Sequence, residues 1–213
     1  MLTKIKNNKS LIYLTLPFLI IITIITTKII TKKELFIDKL AHDILIEQLR
    51  NPTLTIFMKT VTKLSNTTFI ILISLMLTLL FLFIWKKEKI AKLIPCNLII
   101  VTIGNVILKF IFQRERPIGY RLIEITGYSF PSGHAMVSMG FYGLLIYLIY
   151  RYIKNKKLRN ALIGINILII ILIGVSRVYL GVHYLSDVLT GYSISIIYLF
   201  ILTKLLKKYK LLP

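Results

Sequence analysis

Ionisable residues form three clusters between positions 109 and 187 of a chain that is otherwise strongly apolar. In the first cluster, Lys109 and Arg116 are seven residues apart, about two helical turns, so both can lie on one helix face. Pro117 then disfavours helix at Arg116 and turns the chain. Arginine can bind a phosphate group through two parallel hydrogen bonds, so the pair suits an anion. Taken alone, the pair also fits cations that snorkel to a membrane surface.

The second cluster, Pro131-Ser132-Gly133-His134, has the composition of a helix start. Ser132 can act as an N-cap, and Gly133 allows a ligand to approach the backbone. The free N–H groups of a helix N-terminus bind anions, and His134 would lie beside such an anion. The alternative is a turn with an ordinary capping serine.

The third cluster contains Ser176-Arg177, Gly181-Val182-His183 and Asp187. On a helix, residues four apart are neighbours, so Asp187 can accept a hydrogen bond from one imidazole nitrogen of His183. That bond would fix the tautomer and leave the other nitrogen free as a nucleophile. The alternative is a structural His–Asp pair at the start of a helix.

Two histidines and one aspartate could also bind a metal ion. Three nearby cations, Lys109, Arg116 and Arg177, would repel a metal ion and suit an anionic phosphoryl group instead. We therefore expect neither a metal nor another cofactor.

The elements that must position these clusters are apolar helices. Of 213 residues, 56% are hydrophobic and 17% are charged, whereas soluble domains are about 45–50% apolar and about a quarter charged. Apolar runs long enough to cross a bilayer as helix occur at Leu11–Ile30, Thr67–Trp85, Ala91–Phe112, Ala135–Tyr150, Ala161–Val175 and Leu185–Leu205. With their polar ends, the fourth and fifth spans are predicted over 132–150 and 161–178. The runs do not alternate as barrel strands do, and the first is longer than the core of a signal peptide.

The predicted fold class is all-α: a polytopic membrane protein with a bundle of six transmembrane helices and one domain over residues 1–213. The formal charge of +20 does not indicate nucleic-acid binding, because long apolar runs separate the cations. The single Cys96 excludes an internal disulfide framework, and we expect it to be a packing residue within a span. His42 is expected at the surface.

The short loops give an orientation. Six spans place both termini on one side of the membrane. That side has 16 lysines and arginines and one acidic residue, and the opposite side has 12 lysines and arginines and seven acidic residues. Lysine and arginine favour the cytoplasmic side, so we predict cytoplasmic termini. The three clusters then lie at four helix ends that meet on the extracytoplasmic face.

The segment Thr31–Asn66 connects the first two spans on that same face. Its apolar residues at helical spacing are Ile37, Leu40, Ala41, Ile44 and Leu45. This pattern is typical of an amphipathic helix on the membrane surface, and an ordinary packed connector fits equally well.

Together, the three clusters resemble the three signature motifs of the type-2 phosphatidic acid phosphatase superfamily, in order and with the family's internal spacings. One departure is Leu185, where related sequences often have proline, which should alter the loop only locally. The first hundred residues carry no comparable signature.

The resemblance implies a two-step phosphoryl transfer without metal. His183 would attack phosphorus to form a phosphohistidine, Asp187 would orient it, and His134 would act as general acid and then as base. The phosphoryl oxygens would be held by Lys109, Arg116, Ser132, Gly133 and Arg177. Residue chemistry alone leaves open which histidine is the nucleophile, although the spacing to Asp187 favours His183.

Two further arginines, Arg114 and Arg121, lie in the same loop as Arg116. Arg114 is a candidate contact to the substrate head group. Arg121 fits a screened surface charge better.

Bacterial members of the family dephosphorylate undecaprenyl diphosphate, phosphatidylglycerophosphate or phosphatidate. An outward-facing site favours undecaprenyl diphosphate, and the richness in Ile and Lys suggests an AT-rich bacterium. We therefore expect a location in a bacterial plasma membrane. The expected partners are a lipid phosphate and membrane lipids, with no nucleic acid. The alternatives are a lipid phosphotransferase, a lipid-phosphate transporter or binding protein, and vanadate-dependent halide oxidation, which six spans disfavour.

Overall fold

The computed structural model describes residues 2–209, with side chains from residue 13 onward. Within that part of the chain every regular element is helical. The helices are α1 (Leu2–Ile30), α2 (Phe36–His42), α3 (Pro52–Thr62), α4 (Thr67–Leu79), α5 (Glu88–Phe112), α6 (Gly133–Tyr152), α7 (Lys156–Tyr179) and α8 (Leu185–Lys208). π-Helical turns extend α2 and α4, over Asp43–Gln48 and Leu80–Ile84, and a 3₁₀ turn follows α3 over Lys63–Ser65.

Six helices are long and apolar enough to cross a membrane, and they confirm the six predicted spans. Their apolar segments are Tyr13–Ile30, Thr67–Ile84, Glu88–Phe112, Gly133–Tyr152, Lys156–Tyr179 and Leu185–Lys208. Most residues in these segments are not buried inside the protein, as expected for helices whose apolar faces contact lipid. The chain is therefore a multi-pass membrane protein.

Helix α6 is the centre of the bundle, because it packs against α5, α7 and α8. Helix α1 packs on α8, and α4 packs on α5. The largest apolar cluster is built around Phe141 and Leu144 of α6, with Ile94 of α5 and Ile173 of α7. This core fixes the relative positions of the four helix ends that carry the polar clusters.

The connector between the first two spans folds back over one end of the bundle. It is helical, as its periodicity predicts, and α2 and α3 both pack against α7. Ala41 and Ile46 are buried, while Leu40 and Ile44 keep exposed side chains. Arg50 fastens the connector by donating to the carbonyl oxygens of Tyr179 and Tyr120, each at 2.7 Å. The connector is thus both helical and packed against the polar end of the bundle.

Two positions in the spans bear on the sequence expectations. Cys96 is exposed on the outer side of α5, so the prediction that it packs in the interior is wrong; the next residue, Asn97, is the buried one. Leu185 is the first residue of α8. Proline is well tolerated at that position of a helix, so leucine and proline there are compatible with the same helix start.

Candidate active site

Four helix ends meet at the end of the bundle that the connector covers. Lys109 lies in the last turn of α5, His134 in the first turn of α6, Arg177 in the last turn of α7 and Asp187 in the first turn of α8. The loop after α5 contributes Arg116 and Ser132, and the turn between α7 and α8 contributes His183. The structure therefore brings the three sequence clusters into one site.

The turn that presents His183 depends on a glycine. Gly181 has a φ of +70°, and a Cβ there would lie 2.3 Å from the carbonyl oxygen of Tyr120. The backbone N–H groups of Val182 and His183 both donate to the carbonyl oxygen of Arg177, at 3.2 and 3.3 Å. The turn is therefore short and closed, and it aims His183 back toward the end of α7.

His183 and Asp187 form the buried centre of the site. Nδ1 of His183 lies 3.3 Å from Oδ2 of Asp187, and both side chains are almost fully buried. Ser129 donates its hydroxyl to the same Oδ2 at 2.5 Å, and its oxygen lies 3.2 Å from Nδ1. Asp187 is thus held by a second side chain that the sequence motifs do not include.

The surroundings of His183 fix its tautomer. Its Nε2 lies 3.1 Å from Nη1 of Arg116, and a guanidinium can only donate. Nε2 must therefore accept, so it carries the lone pair, and Nδ1 carries the proton that Asp187 receives. The nitrogen that can act as a nucleophile is Nε2.

Burial lowers the pKa of His183 to about 3, and the positive charges of Arg177 and Arg116 add to this effect, whereas Asp187 opposes it. The imidazole is consequently neutral at physiological pH. A neutral imidazole with an unprotonated Nε2 is the form that attacks an electrophile.

Arg114 connects Asp187 to the connector. Its Nη1 donates to Oδ1 of Asp187 at 2.6 Å, and its Nη2 donates to Oδ2 of Asp38 at 2.9 Å. Asp38 also accepts from the backbone N–H and the hydroxyl of Ser186, both at 2.7 Å. Although burial opposes it, the carboxylates of Asp187 and Asp38 raise the pKa of Arg114. The predicted head-group contact, Arg114, therefore lies between two carboxylates and braces Asp187.

Arg177 has unused hydrogen-bonding capacity. Its side chain is only 1% exposed, and Nη1 donates to Oγ1 of Thr62 at 2.7 Å. Its Nε and Nη2 are buried and have no partner among the described residues. Buried donors are rarely left unpaired, since desolvation without a hydrogen bond is costly. These two nitrogens are therefore available to donate to a ligand that accepts hydrogen bonds.

Lys109 and Arg116 are held by backbone carbonyl groups, not by carboxylates. Nζ of Lys109 and Nη2 of Arg116 both donate to Tyr128, at 2.6 and 3.0 Å. Arg116 also donates to the carbonyl oxygens of Gly127 and Val182. Burial lowers the pKa of Arg116, yet it stays a cation. Neither cation forms an ion pair with an acidic group of residues 13–209, so their positive charge is available to an anion.

The start of α6 is capped by Ser132, as the sequence predicts. Ser132 accepts from the backbone N–H of Ala135 at 3.5 Å and so caps the helix. A Cβ at position 133 would lie 2.9 Å from Oδ1 of Asn105, so only glycine fits there without a shift. Nε2 of His134 lies 3.1 Å from Oδ1 of Asn66, and Ser65 donates to the carbonyl oxygen of His134 at 3.0 Å.

Sequence reasoning missed five side chains of this site: Asp38, Thr62, Asn66, Ser129 and Ser186. The two serines are close to the motifs, and polar groups three positions before Ser132 and directly before Asp187 could have indicated them. The other three come from the connector, where the only available signal is that it lies on the same membrane face as the motifs.

The remaining predicted positions lie outside the centre. Arg121 is exposed and donates to the carbonyl oxygen of Pro117 at 2.8 Å. His42 is half-buried and packs edge-on against Tyr120, with ring centres 4.4 Å apart, so it lies only partly at the surface. With Asp43 and Glu47 it places three possible metal ligands within 4.8 Å of one another, in a cavity that His183 also lines.

Fold and site define a multi-pass membrane protein with a buried His–Asp pair facing three cations. Residues 92–210 match the PAP2 superfamily, and the chain belongs to this superfamily. The resemblance carried by the three motifs is therefore confirmed.

Two curated relatives align with about half of this chain. Phosphatidylglycerophosphatase B of Bacillus subtilis strain 168 is 37% identical over 101 residues, 46% of this chain and 48% of the relative. Undecaprenyl-diphosphatase of Sulfolobus acidocaldarius is 31% identical over 122 residues, 54% of each chain. The chain thus spans about half the length of the curated relatives it matches, and both carry the names of phosphatases.

Two crystal structures are similar over more of the chain. A transmembrane PAP2-type phosphatidylglycerolphosphate phosphatase from Bacillus subtilis has a TM-score of 0.80 at 27% identity, covering 93% of this chain and 96% of that one. LpxE of Aquifex aeolicus has a TM-score of 0.59 at 26% identity, covering 78% and 92%. The first of these similarities extends over nearly the whole chain.

Proposed function

We propose that this protein is an integral membrane phosphatase that hydrolyses a phosphate or diphosphate monoester of a lipid through a phosphohistidine, without a metal. One observation carries the proposal: the buried guanidinium of Arg177 has two donors without a partner among the described residues, in a site whose nucleophilic nitrogen, Nε2 of His183, accepts a hydrogen bond and so carries the lone pair. A phosphoryl group supplies both the acceptors that Arg177 lacks and the electrophile that His183 requires.

In the first step, Nε2 of His183 attacks phosphorus and the bond from phosphorus to the lipid oxygen breaks. His134 gives its proton to that oxygen, so the lipid leaves as an alcohol or as a phosphate ester. The imidazole of His183 becomes positively charged, and Asp187 stabilises this charge through Nδ1–H. Charge spreads over three phosphoryl oxygens in the transition state, which Lys109, Arg116 and Arg177 stabilise.

In the second step, His134 acts as the base. It takes a proton from water, the water oxygen attacks phosphorus, and the bond between phosphorus and Nε2 of His183 breaks. Inorganic phosphate leaves, and His183 is neutral again. Ser132 and the backbone N–H of Gly133, at the N-terminus of α6, add hydrogen bonds to the phosphoryl oxygens in both steps.

An apolar groove beside the site supports a lipid substrate. The groove has a volume of about 330 Å³ and lies between α5, α6 and α8. Its lining includes Leu108, which precedes Lys109, and Met136, two residues after His134. A lipid tail in this groove would stay at bilayer depth while the phosphate reaches the cations. The lysine-rich short loops support a location in a bacterial plasma membrane, with cytoplasmic termini and the site facing outward.

Two lipids are the leading substrate candidates. The outward-facing orientation favours undecaprenyl diphosphate, and one relative carries the name undecaprenyl-diphosphatase. The similarity over 93% of the chain to a phosphatidylglycerolphosphate phosphatase favours phosphatidylglycerophosphate. Phosphatidate is a third, simpler monoester of the same class.

The proposal is tested by phosphate release from the full chain in detergent, with these three lipids compared by kcat/KM. His183→Gln should lower release by at least about 10³-fold, because it removes the nucleophile. His42→Gln is the matched control, since it is the same substitution at a histidine of the connector. Undiminished release by His183→Gln would overturn the mechanism, and no release from any of the three lipids by the wild type would overturn the function.

A further inference from the structure

Asn66 lies at the N-cap of α4 but does not cap that helix. Its backbone has the extended conformation of an N-cap, yet its side chain makes no capping hydrogen bond. Two other asparagines in the chain occupy N-caps and do cap, since Asn51 accepts from Leu54 and Asn155 accepts from Leu158. Asparagine is preferred at this position because of the capping bond. The side chain of Asn66 therefore has a hydrogen-bonding partner other than its own helix.

The alternative partner of Asn66 is His134. Oδ1 of Asn66 lies 3.1 Å from Nε2 of His134, and the preceding Ser65 donates to the backbone carbonyl of the same histidine at 3.0 Å. Two consecutive connector residues thus contact both the ring and the backbone of His134. An amide oxygen can only accept, so Nε2 carries a proton and Nδ1 is the nitrogen with the lone pair.

The two histidines of the site therefore have partners of different charge. His183 faces the carboxylate of Asp187, which stabilises the imidazolium that forms when phosphorus is attacked. His134 faces a neutral amide, and the charged groups that act on it are Arg177, Lys109 and Arg116, with His183 as a further titratable neighbour. A neutral partner suits a group that must gain and lose a proton in each cycle, because it stabilises neither form strongly.

We propose that Asn66 is a positioning residue for proton transfer: it holds the ring of His134 and keeps the proton on Nε2, so that Nδ1 exchanges protons with the lipid oxygen and with water. This inference rests on the proposed function. It assigns a role in the reaction to a residue outside the three motifs and outside the region that matches the superfamily.

The test compares Asn66→Asp and Asn66→Ser with wild type in phosphate release from a lipid phosphate, measured over pH. Aspartate keeps the size of asparagine but adds a negative charge that stabilises the protonated ring. The acid limb of the kcat profile should move up by about one pH unit, and phosphohistidine should accumulate at neutral pH because water activation needs the unprotonated base. Serine is an equally good N-cap but is too short to reach His134, so kcat should fall by about 10- to 100-fold with KM within about twofold.

Asn155→Asp is the matched control, because it makes the same change at an N-cap that does face its own helix. Its pH profile should superimpose on that of wild type. A wild-type kcat in Asn66→Ser, or an unshifted profile in Asn66→Asp, would overturn the inference. The proposed function would still hold in either case if the wild type releases phosphate and His183→Gln does not. Failure of this inference and failure of the proposed function are therefore distinguishable.

Discussion

Replacing Thr62 by valine tests whether the site depends on a connector residue that touches no substrate. Of the three guanidinium nitrogens of Arg177, only Nη1 has a partner in the described part of the chain, and that partner is Oγ1 of Thr62 at 2.7 Å. Valine has nearly the shape of threonine but lacks the hydroxyl. The substitution therefore removes one hydrogen bond and leaves the packing of α3 nearly unchanged.

The expected magnitude follows from the charge of the donor. A hydrogen bond to a charged group contributes about 1.5–3 kcal/mol, and Arg177 is almost completely buried, so water does not replace the lost acceptor. If the same energy is lost from the transition state, kcat/KM falls by about 10- to 150-fold, since about 1.4 kcal/mol corresponds to a factor of ten. The thermal midpoint of the ligand-free protein should fall as well.

The assay is phosphate release from detergent-solubilised protein, together with inhibition by inorganic phosphate, whose inhibition constant should rise in Thr62→Val. Thr60→Val is the matched control, because Thr60 lies on the same helix and is exposed, and its hydroxyl donates to the carbonyl oxygen of Ile56 in its own helix. A folded Thr62→Val protein with kcat/KM and phosphate inhibition within twofold of the Thr60→Val values would refute the role assigned to this contact.

Three further predictions concern the centre of the site. Because burial lowers the pKa of His183 from 6.5 to about 3, the unfolded chain binds its proton more readily. The stabilisation from neutral His183 is therefore complete above about pH 6.5 and is lost as pH falls toward 3. The thermal midpoint of the wild type should drop over this range, and that of His183→Gln should drop less steeply. Asp38→Asn should lower kcat about tenfold with little change in KM, because Asp38 acts through Arg114 on Asp187. Asp43→Asn, the same substitution in the same connector, should leave kcat unchanged. Phosphate release should be unchanged after treatment with EDTA, and its loss would indicate a metal in the reaction.

The helices and the three motifs are predictable because their signals are local. A span shows as an unbroken apolar run, and the His183–Asp187 pair shows as a spacing of four residues across the start of a helix. The meeting of four helix ends followed from the number of spans and from the lysine-rich short loops. Each of these inferences uses residues that are close in sequence, or a rule that holds for every membrane helix.

The partners of the motif residues could not be predicted, because they are distant in sequence. Asp38 and Ser186 are 148 positions apart, Thr62 and Arg177 are 115 apart, and Asn66 and His134 are 68 apart. A threonine or asparagine in a polar loop has many possible roles, and only the packing of the connector against the bundle selects one. The tautomer of His183 likewise required the position of Arg116 in space.

The placement of the connector divides the site between two parts of the chain. The region that matches the superfamily, residues 92–210, contains the proposed reactive groups, whereas Asp38, Thr62 and Asn66 lie before it. Each of these three contacts a residue to which we assign a different role in the proposed mechanism. Asp38 contacts Arg114, which braces Asp187; Thr62 contacts Arg177, the proposed phosphoryl ligand; and Asn66 contacts His134, the proposed acid and base. We therefore expect relatives with identical motifs to differ in rate and pH dependence through this segment, which lies outside the three motifs. A chimera that joins these motifs to the connector of another protein would retain the motif residues. It would lose the connector side chains that hold Arg114, Arg177 and His134 in position.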